Sequence, residues 1–293
     1  MKFVDIKNDI AFRKIFGNEN KKEILISFLN AVLDLPKGKK IKNIEIKNPF
    51  QLPEIKALKS SILDIKATDE RNISYIVEMQ VEEPDGFDKR VQYYTAKQYS
   101  AQIEIGEDYP KLNQVIFIGI LNFNFFKGGD YLTKHLIVNQ STGIQELKDI
   151  EFNFIELSKF SKEEHELETL IEKWTFFIKN APNLKVIPAN IHDKGLKYAY
   201  EDADKHNWTK DELLAYDYAG MRRQDEKGKT IVAVKKAVKE AVEKAIEQTR
   251  EHEKLEIAKK LIALNIDIHT IQKSTDLPIE TIENLINEMK NSH

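Results

Sequence analysis

The chain has 293 residues, 41% hydrophobic and 32% charged, with a net charge of −3 and no cysteine. That length suits one large domain, or one domain with a small appendage, and the composition is that of a globular protein with a highly charged surface. It excludes disulfides, thiolate zinc sites, iron–sulfur clusters and cysteine nucleophiles, and it gives no global pull towards nucleic acid, so any DNA contact needs a local basic patch.

Taken in chain order, residues 9–17 (DIAFRKIFG) read as a helix that Asn8 or Asp9 can cap and Gly17 can end. A second helix over 19–33 puts Ile24, Phe28 and Leu29 on one face, with Pro36 soon after. Lys37, Lys39, Lys40, Lys42 and Lys47 then make a basic stretch that carries a strand at 41–46. Its default reading is a solvated loop; its functional reading is contact of Lys39 and Lys40 with a DNA backbone. Segments 62–67 and 73–80 form the arms of a hairpin around the turn residues 69–72. A helix follows over 87–105, then a buried strand at 115–123, a break at Gly128-Gly129, and strands near 136–138 and 152–157. On the 87–105 helix, Tyr93 and Tyr94 are expected in the core.

From Ser161 the pattern turns helical, and the polar stretch 202–208 marks a boundary. Residues 211–260 are helix-rich and dense in charge, with Gly220 and Gly228 expected to interrupt them; 255–289 read as three short helices separated near Asn265 and at 275–278. The expected division is 1–205, a charged helical connector at 206–254, and a small helix-turn-helix-like tail at 255–293. The last helix carries Glu280, Glu283 and Glu288 against Lys290, which repels phosphate and favours packing or protein interaction over DNA reading. Ile231, Val234, Val238, Val242 and Ala245 fall near heptad spacing, so a homodimer through the C-terminal helices is expected, although two heptads fall short of a coiled-coil signature. The N-terminus lacks the apolar core of a secretory signal and no apolar run approaches ~18 residues, so the expectation is a cytoplasmic chain with no membrane partner.

The chemistry centres on the hairpin. Side chains alternate faces along a strand, so Glu78 and Gln80 share a face with Ile76, while Tyr75, Val77 and Met79 take the other. A three-residue loop at 70–72 pairs Asp69 with Ile73 and sets Asp64 opposite Glu78, roughly 5 Å apart at the β-carbons; a one-residue slip leaves the two adjacent but on opposite faces. Two carboxylates that close resist joint ionisation. A hard divalent cation, Mg²⁺ or Mn²⁺, relieves the repulsion through oxygen ligands and can activate water towards a phosphodiester, with Gln80 placed to position metal or water. No His-x₃-His spacing suggests zinc, and no Gly-rich phosphate loop is present.

Asp64 followed by Glu78-x-Gln80 resembles the PD-(D/E)XK nuclease superfamily. More closely, the chain is similar to the Rpn group, the recombination-promoting nucleases often labelled transposases. The stretches that carry the resemblance are DIAFRKIFG at 9–17, LDIKA at 63–67, IVEMQ at 76–80, RVQYY at 90–94 and FIELSKF at 154–160. It covers about residues 1–290 and is strongest over 1–160. The resemblance implies an α/β fold with a mixed central sheet flanked by helices and a helical C-terminal extension. It implies Mg²⁺-dependent DNA endonuclease activity with Asp64 and Glu78 as metal ligands. Gln80 stands where the superfamily usually has lysine, a substitution common within the Rpn group. Lys66, on the expected face of Asp64, could supply the missing positive charge; Lys97 and Arg90 are rivals for that role and candidates for phosphate contact. Asp9 is a candidate further metal ligand, against its default role as a helix cap. The alternative is a non-catalytic DNA- or protein-interaction module that retains the nuclease fold. Nothing in these residues points to strand transfer.

Overall fold

A computed structural model describes residues 1–48 and 65–291. The chain divides into two compact units, Met1–Arg222 and Arg223–His293. In the first, α1 (Asp9–Phe16), α2 (Glu23–Leu33), β1 (Ile44–Ile46), β2 (Ile65–Asp69), β3 (Ser74–Gln80) and α3 (Phe87–Ser100) are followed by β4 (Val115–Leu121), β5 (Leu132–Leu136), β6 (Ile150–Glu156), α4 (Leu170–Asn180) and α5 (Lys194–Ala203). The helix α6 (Lys210–Ala263) begins in this unit, and α7 (Ile268–Thr275) and α8 (Ile279–Asn291) belong to the second.

Among the described residues six strands form one mixed sheet, in the order β1-β2-β3-β4-β6-β5. β1, β2 and β3 run antiparallel as neighbours, β3, β4 and β6 are parallel, and β5 returns antiparallel on β6. The central strands β3 and β4 are buried at every position, as expected where helices cover both faces. One face carries Tyr75, Val77, Met79, Ile116, Ile118 and Ile120 into the main core with α1, α2, α4 and α5. The other carries Ile76, Phe117, Leu121 and Phe154 under α3, through Phe87 and Val91.

The hairpin forms in the register that the turn chemistry dictates. Thr68 pairs with Ser74 and Ile65 with Val77. Asp69 accepts from the backbone N–H groups of Arg71 and Ile73, at 2.9 and 3.0 Å, and Asn72 takes the left-handed conformation at φ 62°. Arg71 and the Tyr75 hydroxyl also donate to the Asp69 carboxylate. Burial, followed by the charge on Asp69, raises the Tyr75 pKa, so the hydroxyl stays a donor.

Several boundaries differ from the sequence reading. The second helix starts at Glu23, after a separate tight turn at Glu19–Lys21 that Asn18 caps. The third ends at Ser100 rather than at 105, and the edge strand lies at Leu132–Leu136 rather than at 136–138. The largest correction is α6. Gly220 and Gly228 do not interrupt it, because a helical glycine costs only about 1 kcal/mol and long helix-forming runs flank both. In the second unit, Leu255, Ala258, Leu261 and Ile262 of α6 pack with Ile271 of α7 and with Ile282 and Leu285 of α8 into a small core of their own.

Candidate active site

Glu78 lies at the centre of the sheet, 1% exposed, and Gln80 beside it is 8% exposed. Alternation puts both on the α3 side, since Ile76 belongs to that core and Tyr75, Val77 and Met79 to the other. The Gln80 side-chain amide donates to a Glu78 carboxylate oxygen at 3.3 Å. Lys66 pairs with Ile76, so it shares this face and stands diagonal to Glu78, at about 7–8 Å, within reach of a long side chain. Glu78, Gln80 and Lys66 therefore come together on one surface.

The neighbouring strands complete the surroundings. Glu78 is level with Gly119 on β4, which is level with Phe154 on β6. One step along, Gln80, Leu121 and Glu156 form a second row on the same face. Glu156 is fully buried, pairs with Lys159 at 2.6 Å, and accepts from the backbone N–H groups of Phe125 and Phe126. Lys159 also donates to the Phe126 carbonyl at 2.7 Å. This clamp ties the loop after β4 over the sheet face. Sequence reasoning assigned Glu156 and Lys159 no role; the only signal was the stretch FIELSKF, where an acid and a lysine sit three residues apart. His135 faces Phe126, with ring centroids 4.4 Å apart, and burial lowers its pKa.

The remaining expected residues lie elsewhere. Asp64 falls outside the described residues. Asp9 occupies the first turn of α1, and the capping role goes to Asn8, whose side chain accepts from the Ile10 and Ala11 N–H groups. Arg90 and Lys97 are exposed on α3, with the Arg90 guanidinium 5.6 Å from the Tyr94 ring centre. Tyr93 and Tyr94, expected in the core, are instead 62% and 40% exposed. Val91 and Thr95 take the buried positions, and the tyrosines fall with Arg90 and Lys97 on the opposite stripe. Lys39 and Lys40 are exposed in the segment before β1, where Arg71 donates to the Lys39 carbonyl at 3.0 Å.

Among the described residues no three His, Asp or Glu side chains gather as a metal site. The donor chemistry next to Glu78 nevertheless suits a hard cation: a carboxylate and an amide oxygen on one sheet face, with no sulfur or imidazole ligand. Mg²⁺ needs only one or two carboxylates and keeps several waters.

A mixed sheet flanked by helices, with a buried acid and an amide two residues apart on a central strand, defines the architecture of a PD-(D/E)XK-type nuclease. The chain belongs to that class: the family model for PD-(D/E)XK nuclease family transposases matches residues 6–233. No curated protein and no solved structure matches the chain. No described helix is long and apolar enough to cross a membrane.

Proposed function

We propose that this protein is a cytoplasmic, divalent-metal-dependent DNA endonuclease, linked to recombination or mobile elements as its family description suggests. The observation that carries the reading is the buried Glu78, held by Gln80 on the sheet face that also bears Lys66. Asp64 precedes Ile65 in the chain, and Ile65 pairs with Val77. We take Asp64 to be the second carboxylate that with Glu78 holds Mg²⁺ or Mn²⁺, with Asp9 as a further candidate ligand. When bound, the cation supplies Lewis acidity to the phosphoryl oxygens. Gln80, its amide N–H engaged by Glu78, presents its carbonyl oxygen to orient a water by accepting a hydrogen bond. Lys66 offsets charge on the phosphate, the role that lysine fills elsewhere in the superfamily. Arg90 and Lys97 on α3, with Lys39 and Lys40, are the proposed contacts to the DNA backbone. The assembly proposed is a homodimer through the C-terminal helices.

The direct test is nicking of supercoiled plasmid with Mg²⁺ or Mn²⁺ by wild type and by Asp64→Ala. The expected result is metal-dependent nicking by wild type alone. A wild-type protein that never nicks overturns the assignment in favour of an interaction module on a nuclease fold, and a variant that cleaves as well as wild type removes Asp64 from the site.

A further inference from the structure

Residues 224–253 of α6 are exposed at every position. Thirty residues of helix with no buried face among the described residues are marginal in water, because most helical stability in proteins comes from an apolar face that is covered. This stretch has such a face. At 100° per residue, Ile231, Val234, Val238, Val242 and Ile246 fall on one side, with the small Ala241 and Ala245 between them. The five branched residues are 45–56% exposed. The opposite side carries Lys236, Glu240, Glu243 and Glu247, with Lys236 and Glu240 paired along the helix at 3.8 Å. The stripe runs from Ile231 to Ile246, and Thr249, at the same angle as Ile231, extends this side by one turn to about 28 Å of helix.

Charge is divided unevenly along the same stretch. Residues 223–239 hold six basic side chains against two acidic ones. Residues 240–253 hold five acidic against two basic, leaving His252 aside. The sign changes between Lys239 and Glu240, at the midpoint of the apolar stripe. A helix whose charge inverts about the centre of its own apolar face is self-complementary when two copies meet head to tail. Lys227, Lys235 and Lys239 flank the stripe, whereas Glu240, Glu243, Glu247 and Glu251 lie on its far side; a parallel pair would bring the flanking lysines of the two copies together, and like charges across a coiled-coil seam oppose assembly.

We propose that residues 223–253 of α6 pair antiparallel with the same residues of a second copy of this chain, about a two-fold axis near Glu240. This rests on the homodimer proposed above and adds its orientation and register. Val238 then meets Val242 of the second copy and Val234 meets Ile246, while Lys227 lies level with Glu253 at the edge of the stripe. Ala241 and Ala245 let the two backbones approach closely beside the axis. The contact is isologous and closed, so it stops at two copies.

The absence of cysteine makes the orientation directly readable. Ile231→Cys and Thr249→Cys each introduce the sole thiol of the full-length chain, at opposite ends of the stripe. Mixed in equal amounts and mildly oxidised, the two variants are expected to give the 231–249 disulfide dimer, while Ile231→Cys alone stays uncrosslinked. Sedimentation of the wild type should give a dimer at tens of micromolar, and Val238→Glu should give a monomer that loses part of the helical far-ultraviolet dichroism. A 231–231 disulfide as the main product overturns the antiparallel orientation while leaving a homodimer in place. A wild type that sediments as a monomer at 100 micromolar overturns the dimer as well. Plasmid nicking is read separately, so neither result is confused with failure of the nuclease assignment.

Discussion

Glu78 and Gly119 lie level on neighbouring parallel strands, and the missing side chain at Gly119 is what lets the Phe154 ring lie against position 119. A Cβ at position 119 would stand 2.8 Å from Cδ1 of Phe154 and 3.1 Å from the Phe117 ring. Phe154 cannot swing aside freely, because it packs against Phe87, Phe117, Phe126 and His135. Gly119→Ala is therefore expected to destabilise the fold by about 1–3 kcal/mol, the usual cost of overpacking a close-packed core. Urea denaturation measures it; a change within 0.5 kcal/mol, about the range of ordinary surface substitutions, would show that the aromatic cluster has slack.

Glu78→Gln separates chemistry from packing. The substitution keeps the shape and removes a charge from a buried position, so the melting temperature should hold or rise. Cleavage should fall by roughly 100-fold or more, in the range seen when a group aimed at developing charge is lost. Calorimetric heat from Mg²⁺ or Mn²⁺ should disappear with it. A lower melting temperature with cleavage intact would assign Glu78 to structure instead.

The charge that lysine usually supplies can be traced by a pair of substitutions. If Lys66 supplies it from its place diagonal to Glu78, Lys66→Met lowers kcat with little change in KM for DNA. Adding Gln80→Lys to that variant should recover part of the loss, since it puts an ammonium on the same face one strand over. Single-turnover cleavage checks both, and a Lys66→Met enzyme as fast as wild type would remove Lys66 from the site.

The hairpin was legible in the sequence because its determinants are local. Asp69 and Asn72 fix the turn, alternation fixes the faces, and the pairing of Thr68 with Ser74 and Ile65 with Val77 follows directly. The mixed sheet was legible only through the family resemblance, since strand order among β3, β4 and β6 depends on contacts that no short window contains. Tyr93 and Tyr94 misled because aromatic residues are usually interior; on α3 the smaller Val91 and Thr95 hold the buried positions. Gly220 and Gly228 misled because glycine was read as punctuation, whereas each costs the helix only about 1 kcal/mol. The Glu156–Lys159 clamp was illegible, because its partners are backbone groups some thirty residues away.

On α3, Arg90 and Lys97 flank Tyr93 and Tyr94 on an exposed stripe, which suits contact with a phosphate backbone. Each lysine or arginine that neutralises one phosphate adds about one to the slope of log affinity against log salt. Arg90→Ala with Lys97→Ala should weaken DNA binding uniformly across sequences and lower that slope by about 2. Fluorescence anisotropy at several salt concentrations measures it. An unchanged slope would move the DNA path off α3, and the stability of the double variant should stay within about 0.5 kcal/mol of wild type.

Glu172 sets an acid-sensitive anchor for α4. It closes a capping box with Thr169, accepts from the Glu168 and Thr169 N–H groups at 2.8 and 2.9 Å, and pairs with Lys162 at 2.5 Å. Burial alone would push its pKa up, but Lys162 and the two backbone donors outweigh that and bring it from 4.5 down to about 2. A carboxylate whose pKa is lower in the folded state binds fewer protons there than in the unfolded chain. Its contribution is therefore present above pH ~4.5 and is lost as pH falls through about 2. Glutamine also serves at this position of a capping box, so the cost of Glu172→Gln at pH 7, about 1 kcal/mol or more, comes from the charge-assisted bonds to Lys162 and the two backbone N–H groups. The gap between wild type and variant should narrow as pH falls from 4.5 towards 2, because protonation makes the wild-type side chain neutral as well. Urea midpoints across that range read it directly, and a gap that stays constant with pH would mean that the charge on Glu172 contributes nothing beyond its shape.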